Sequence, residues 1–324
     1  MAHPISSGQK VGQAQRARRG TYSIVARDPE TGAMGVAVQS HWFSVGPLVP
    51  WAEAGVGAVA TQANVEVAYG HRLLDLMRSG IPAGDALADL LAEDPEAPVR
   101  QVAVVDARGG VAAHTGEDCM PFAGHSRGDG FSCQANLMAS ERVWPAMAAA
   151  FQSESGSLGY RLLSALDAGE AAGGDVRGKQ SAAILVVPAS GPPWERIVDL
   201  RVEDSPEPLR ELRRLMNLHD AYVFAGEGDQ LVAQGRLGEA AAKYVEANRT
   251  FPGTPELAFW AGLGLLSMGD EKTGLELLRS AIAAHSGWAE LLTRLSPRSG
   301  PGVARARQLL NIPATPDDRT ARKT

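Results

Sequence analysis

Cysteine is nearly absent: Cys119 and Cys133 are the only two in 324 residues. Two are too few for a disulfide framework, and neither stands in a CxxC spacing, so no metal site is expected. Long apolar runs are missing too, with nothing approaching the roughly 18 residues that a membrane-crossing helix needs. Residues 1–20 are polar and basic and lack the apolar core of a secretory signal. Arg18-Arg19 has no such core after it, so export is not expected and the default location is cytoplasmic. No GxGxxG, Walker loop, HExxH or GxSxG occurs, which removes the commonest cofactor and hydrolase readings. Basic charge is scarce in the body: the net charge is −6, the stretches 1–20 and 296–324 are each +4, and −14 is left between them. A body that acidic is a poor nucleic-acid surface. No cofactor, nucleic-acid partner or membrane partner is therefore expected.

What is present is a globular composition, 44% hydrophobic, in a chain long enough for two domains. Residues 22–27 and 34–39 read as strands joined by the reverse turn Asp28-Pro-Glu-Thr-Gly32, and 56–62 as a third strand. Two helices follow at 66–79 and 83–93, ended by Gly80-Ile81-Pro82 and Asp94-Pro95. Strands at 100–106, 111–114 and 130–137 precede helices near 140–152 and 156–168, and strands at 180–187 and 196–202 close the pattern. Hairpins with paired helices inserted predict two antiparallel sheets face to face with helices outside, an α+β class rather than a doubly wound parallel sheet.

From about residue 205 the strand signals stop. Gly228, Leu231, Gly235, Ala240, Tyr244 and Ala247 recur 34 residues later as Gly262, Leu265, Gly269, Gly274, Leu278 and Ala281. That period, with small residues where paired helices would touch, resembles tetratricopeptide repeats. Two repeats are few to stand alone, so the module is expected to lean on the first domain or to pair in a homodimer, and to offer a surface for a protein partner. The expected division is a disordered leader 1–20, an α+β domain 21–204, a helical domain 205–295 and a disordered tail 296–324.

The polar residues that could do chemistry sit at strand ends and in glycine-rich loops: Thr21, Ser40, His41, Thr61, Gln62, His114, Asn136 and the loop 173–181 with Asp175, Arg177 and Gln180. Thr21 follows Gly20 at the head of the first strand. A chain cut between them would carry a hydroxyl nucleophile and its own base, the α-amine, which titrates near pH ~8. Gly-Thr is also a common dipeptide, and on this stretch alone Thr21 reads first as an ordinary strand residue.

The stretches Thr21–Gly32, Gly35-Val-Ala-Val-Gln-Ser40, Gly55–Gln62, Arg100–Asp106, Ala113-His-Thr-Gly116 and Gly173–Ser181 together resemble a bacterial family, domain of unknown function 1028, over roughly residues 21–204. That family is grouped with the N-terminal-nucleophile (Ntn) hydrolases, so the resemblance implies a four-layer αββα sandwich and an amide-bond hydrolase. Its members typically begin with Met-Thr at the position of Thr21, so methionine removal would expose the threonine. Here a leader precedes Thr21, and exposure needs cleavage after Gly20 or a later start. Many members carry lysine where this chain has His41, which removes one way of tuning the amine. Some members carry a C-terminal helical module labelled peptidoglycan-binding; the helices here read better as tetratricopeptide-like.

On this reading Thr21 is the nucleophile, and Asn136 or Gln62 stabilises the oxyanion. Ser40, His41, Thr61, His114, Asp175, Arg177 and Gln180 surround a small or peptide-like amide substrate. The alternative is a non-catalytic ligand- or protein-binding module. A thiol hydrolase built on Cys133 or Cys119 is the third reading.

Overall fold

The computed structural model describes residues 20–314. The disorder expected for 1–19 and for the end of the tail lies outside the described residues. The chain divides into two compact units at 213/214.

In the first unit, β1 (Thr21–Arg27), β2 (Met34–Ser40), β3 (Pro50–Glu53) and β4 (Gly57–Ala63) are followed by helices α1 (Ala68–Arg78) and α2 (Ala83–Glu93). Next come β5 (Arg100–Asp106), β6 (Val111–Thr115), β7 (Gly124–Gly128), β8 (Phe131–Asn136), helices α3 (Val143–Ser153) and α4 (Leu158–Ala171), and strands β9 (Ser181–Val187) and β10 (Val198–Val202). The strands form a six-stranded sheet in the order β10-β9-β2-β1-β8-β7 and a four-stranded sheet in the order β3-β4-β5-β6. Every pairing is antiparallel. The two sheets face each other; α3 and α4 cover the six-stranded sheet, and α1 and α2 the four-stranded one.

Two strands escape the sequence pattern for physical reasons. The strand β3 opens on Pro50 and β7 reads Gly-His-Ser-Arg-Gly, neither with an apolar alternation. Both are edge strands, where proline and polar residues are tolerated because one side of the ladder is open.

Alternation along the strands sorts side chains into layers. Val25, Val36, Val38, Ala58, Ala60, Ala103, Val105 and Leu185 form an apolar core between the sheets. Val59, Val102 and Val104 face the other way and pack with Leu73, Leu87 and Leu90 of α1 and α2. On the far side of the six-stranded sheet, Tyr22, Ile24, Met147, Leu162 and Leu166 are fully buried.

The second unit is helical. Helix α5 (Pro208–Ala233) runs on into it, followed by α6 (Leu237–Thr250), α7 (Pro255–Ser267), α8 (Glu271–Ala284), α9 (Gly287–Arg294) and α10 (Val303–Leu310). Of the repeated glycines, Gly228, Gly262 and Gly274 sit where helices touch, while Gly235 and Gly269 take the positive φ of the turns between them. A Cβ on Gly228 would lie 2.7 Å from the Tyr244 ring, and one on Gly262 would lie 2.8 Å from Leu278 Cγ. The disordered tail expected from 296 is corrected here by α10. Val303 and Ala306 are buried in one cluster with Phe259 and Leu263. Arg307 donates to the Leu292 and Thr293 carbonyls at 2.9 Å each, satisfying the end of α9. An arginine-rich composition therefore served as a helix cap, not as a solvated tail.

Gly262→Ala is expected to destabilise the helical unit by about 1–3 kcal/mol, because its new methyl meets Leu278 and the Gly274 carbonyl rather than space. The check is a lowered urea midpoint of helical circular dichroism.

Candidate functional site

The layer between the sheets changes character along the strands. At one end it is the apolar core; at the other the same face carries Thr21, Ser23, Ser40, Gln62, Gln101, Ser132, Gln134, Asn136 and Ser181, all buried. Buried polar groups must be paired or each costs about 1–3 kcal/mol, and here they pair largely with one another. Ser23 Oγ donates to Gln62 Oε1 at 2.6 Å, and Gln134 Nε2 donates to Ser23 Oγ at 2.6 Å. Ser132 Oγ donates to Gln134 Oε1 at 3.0 Å.

Gln101 is the hub. Its Oε1 accepts from Gln62 Nε2 at 2.7 Å and Asn136 Nδ2 at 2.9 Å. Its Nε2 donates to Thr115 Oγ1 at 2.9 Å and to the Ala135 carbonyl at 2.9 Å. With that nitrogen donating, the Thr115 hydroxyl proton is available to His125 Nδ1, 2.9 Å away. Burial first, then the charges of Arg127 and His114, hold the His125 pKa below its ordinary range, which keeps the ring neutral and able to accept.

Thr21 stands at the head of β1, paired across the sheet with Ser40 on one side and Asn136 on the other. The side chains of Gln62 and Asn136 reach its main chain: their amide nitrogens lie 3.2 and 3.4 Å from the Thr21 carbonyl oxygen. Asn136 Oδ1 is buried without a hydrogen-bond partner. The Thr21 hydroxyl is 3.0 Å from Ser40 Oγ and donates to the carbonyl of Gly20 at 2.7 Å. That carbonyl also accepts from Ser40 Oγ at 2.6 Å and Arg177 Nη2 at 2.9 Å.

Arg177 is aimed by Asp175. Its Nε and Nη2 grip the two carboxylate oxygens at 3.0 and 2.7 Å, the bidentate geometry that suits guanidinium and carboxylate. The Asp175 side chain is 0% exposed and accepts two further bonds, from the main-chain nitrogens of Arg177 (2.9 Å) and His41 (3.2 Å). Its carboxylate lies against Gly20.

Of the residues expected at one site, the fold brings together Thr21, Ser40, Gln62, Asn136, Asp175 and Arg177. His41 takes part through its main chain. Three others point elsewhere. Thr61 shares the face of Val59, toward the helices, and its hydroxyl donates to the Glu66 carbonyl. His114 pairs in register with Val102 on that same face, its Nε2 lying 2.8 Å from the Ala97 carbonyl. Gln180 donates to Asp204. The thiols are unsuited to attack: burial raises Cys119 to about 11 and pushes Cys133 up as well. Sequence reasoning missed Ser23, Gln101, His125, Ser132 and Gln134, and noted Thr115 only as a polar strand end. The usable signal was period-two polarity, as in Ser132-Cys-Gln-Ala-Asn136, inside strands otherwise too apolar to face water.

Among the described residues no group of three His, Cys, Asp or Glu side chains is placed to hold a metal ion, and no helix is long and apolar enough to cross a membrane.

Two facing antiparallel sheets with a helical C-terminal region define a mixed α/β protein. The chain belongs to the Family of unknown function (DUF1028), whose profile matches residues 21–212. It is similar to protein SPO2555 from Silicibacter pomeroyi, whose crystal structure is assigned to the same family. The identity is 33% and the TM-score 0.56, covering 61% of this chain and 84% of that one. Comparison with curated proteins found no match.

Gln101→Leu is expected to cost about 2–5 kcal/mol, because the Asn136 and Gln62 amides each lose their shortest acceptor and Thr115 and the Ala135 carbonyl each lose a donor. Chemical denaturation measures the loss; a change under about 0.5 kcal/mol, the scale of an ordinary surface substitution, would contradict this account of the layer.

Proposed function

We propose that the first unit is an N-terminal-threonine hydrolase acting on an amide bond. The observation that carries the reading is the Thr21 hydroxyl: buried, 3.0 Å from Ser40 Oγ, and set against an acyl carbonyl that Ser40 and Arg177 both hold. The layering of helices over two facing sheets agrees with the αββα arrangement that the family resemblance implies.

In this mechanism the Gly20–Thr21 bond is broken, or the chain starts at Thr21, and the α-amine is free. Thr21 Oγ attacks the substrate carbonyl; the amine takes the hydroxyl proton and passes it to the leaving nitrogen. Ser40 Oγ and the Arg177 guanidinium, the donors that now hold the Gly20 carbonyl, bear the developing oxyanion charge. This revises the roles expected of Asn136 and Gln62, whose amide nitrogens are engaged by the Thr21 carbonyl and Gln101. They fix the strand end instead. Asn136 Oδ1, lacking a partner opposite Thr21 in register, is the acceptor that can orient the freed amine.

The second unit reads as two tetratricopeptide-like hairpins, α5 with α6 and α7 with α8, supported by the repeated glycine contacts with Tyr244 and Leu278. Its role on this reading is to bind a protein partner. A non-catalytic binding module is the second reading for the whole chain. It is favoured by one fact: with residue 20 in place, the Thr21 nitrogen is a peptide nitrogen and the residue is 3% exposed.

In a chain that starts at residue 21, Thr21→Ala is expected to lower amide hydrolysis by at least about 10³-fold. Its fold should cost no more than about 1–2 kcal/mol for the lost hydroxyl bonds. Activity retained in that variant would remove the mechanism.

A further inference from the structure

The acyl side of the site has a wall. A Cβ built on Gly20 would lie 2.5 Å from Asp175 Oδ2, 2.7 Å from Cγ and 2.8 Å from Oδ1. Side-chain carbons do not approach so closely, so either the methyl or the carboxylate would have to move. The carboxylate has nowhere to go. It is 0% exposed and held by four hydrogen bonds, from the His41 and Arg177 main-chain nitrogens and from Arg177 Nε and Nη2. Moving it would also break a buried ion pair.

We propose, building on the amide-hydrolase reading, that the site rejects acyl groups whose α-carbon carries a side chain in the L sense, and that Asp175 is the residue that excludes them. Glycyl, straight-chain acyl and γ-glutamyl amides belong to the accepted class. Amides of L-amino acids joined through their α-carboxyl, as in ordinary peptides, do not.

The argument rests on a shared intermediate. Attack by Thr21 Oγ forms a bond to the acyl carbon and breaks its bond to nitrogen; the hydroxyl proton leaves with the amine. The product is an ester on Thr21. Water then adds to the ester carbon, the bond to Thr21 Oγ breaks, and the hydroxyl recovers a proton. An acyl group on Thr21 Oγ, two bonds from the Thr21 backbone, has its carbonyl oxygen within reach of Ser40 and Arg177. Its α-carbon then occupies the place of Gly20 Cα, where a branch in the L sense runs into Asp175.

The test uses the chain beginning at Thr21, its free amine verified by N-terminal sequencing. It is offered the p-nitroanilides of glycine, acetate, butyrate, L-alanine and L-leucine. The unbranched members are expected to exceed the branched ones by about 10²-fold or more in kcat/KM, at the upper range of what one methyl can do in a fixed pocket. Asp175→Asn, of equal size, should keep that preference, and Asp175→Gly should bring the ratio toward one. Equal rates for glycyl and L-alanyl substrates with the unmodified chain would overturn the proposal and leave the hydrolase reading standing. A chain with a free Thr21 amine that cleaves none of the five would overturn the hydrolase reading and this proposal with it.

Discussion

The structure of the first unit depends on satisfying a polar layer buried between two sheets. Apolar side chains on facing sheets need only fit, but amides and hydroxyls there must also find partners, at about 1–3 kcal/mol for each one that does not. Gln101 meets that demand from the four-stranded sheet, linking Gln62 beside it with Asn136 across the gap and Thr115 at the edge. The result fixes both sheets in register at the end where Thr21 stands. An apolar layer would have held the sheets together as well. It could not have aimed amide nitrogens at the Thr21 carbonyl or left Asn136 Oδ1 open beside it.

On the proposed mechanism, rigidity at that end has a chemical use. A hydroxyl nucleophile is effective only when its base and the donors for the oxyanion are held in place before the reaction. Ser40 reaches Thr21 as its cross-strand neighbour, so the strand pairing itself sets the distance. Arg177 comes from a loop, where orientation is less certain, and the buried Asp175 carboxylate supplies the missing constraint through a bidentate contact.

Much of the fold was legible because its signals are local. Turn residues such as Asp28-Pro-Glu-Thr-Gly32 and the switch from strand to helix patterns need no distant partner to be recognised. The strands β3 and β7 were not legible, since an edge strand is defined by what it lies beside. The tail was misjudged for a related reason: the arginine content of 303–310 reads as solvated until Arg307 is seen against the carbonyls of α9. For the site, strand-end residues were found by type, but face was the deciding property. Thr61 and Gln62 are neighbours in sequence, and alternation sends one to the helices and the other to the polar layer. Gln101 lies in the Arg100–Asp106 stretch, but nothing there marked it out from its neighbours; its role exists only once four strands converge.

The central claim is that Thr21 works as a chain terminus. The most direct measurement is the intact mass of the protein purified from the full 324-residue sequence, together with N-terminal sequencing. The account predicts a chain that begins at Thr21, with the α-amine free. A chain that keeps Gly20 joined to Thr21 under every condition tried would contradict it and leave the binding-module reading in its place.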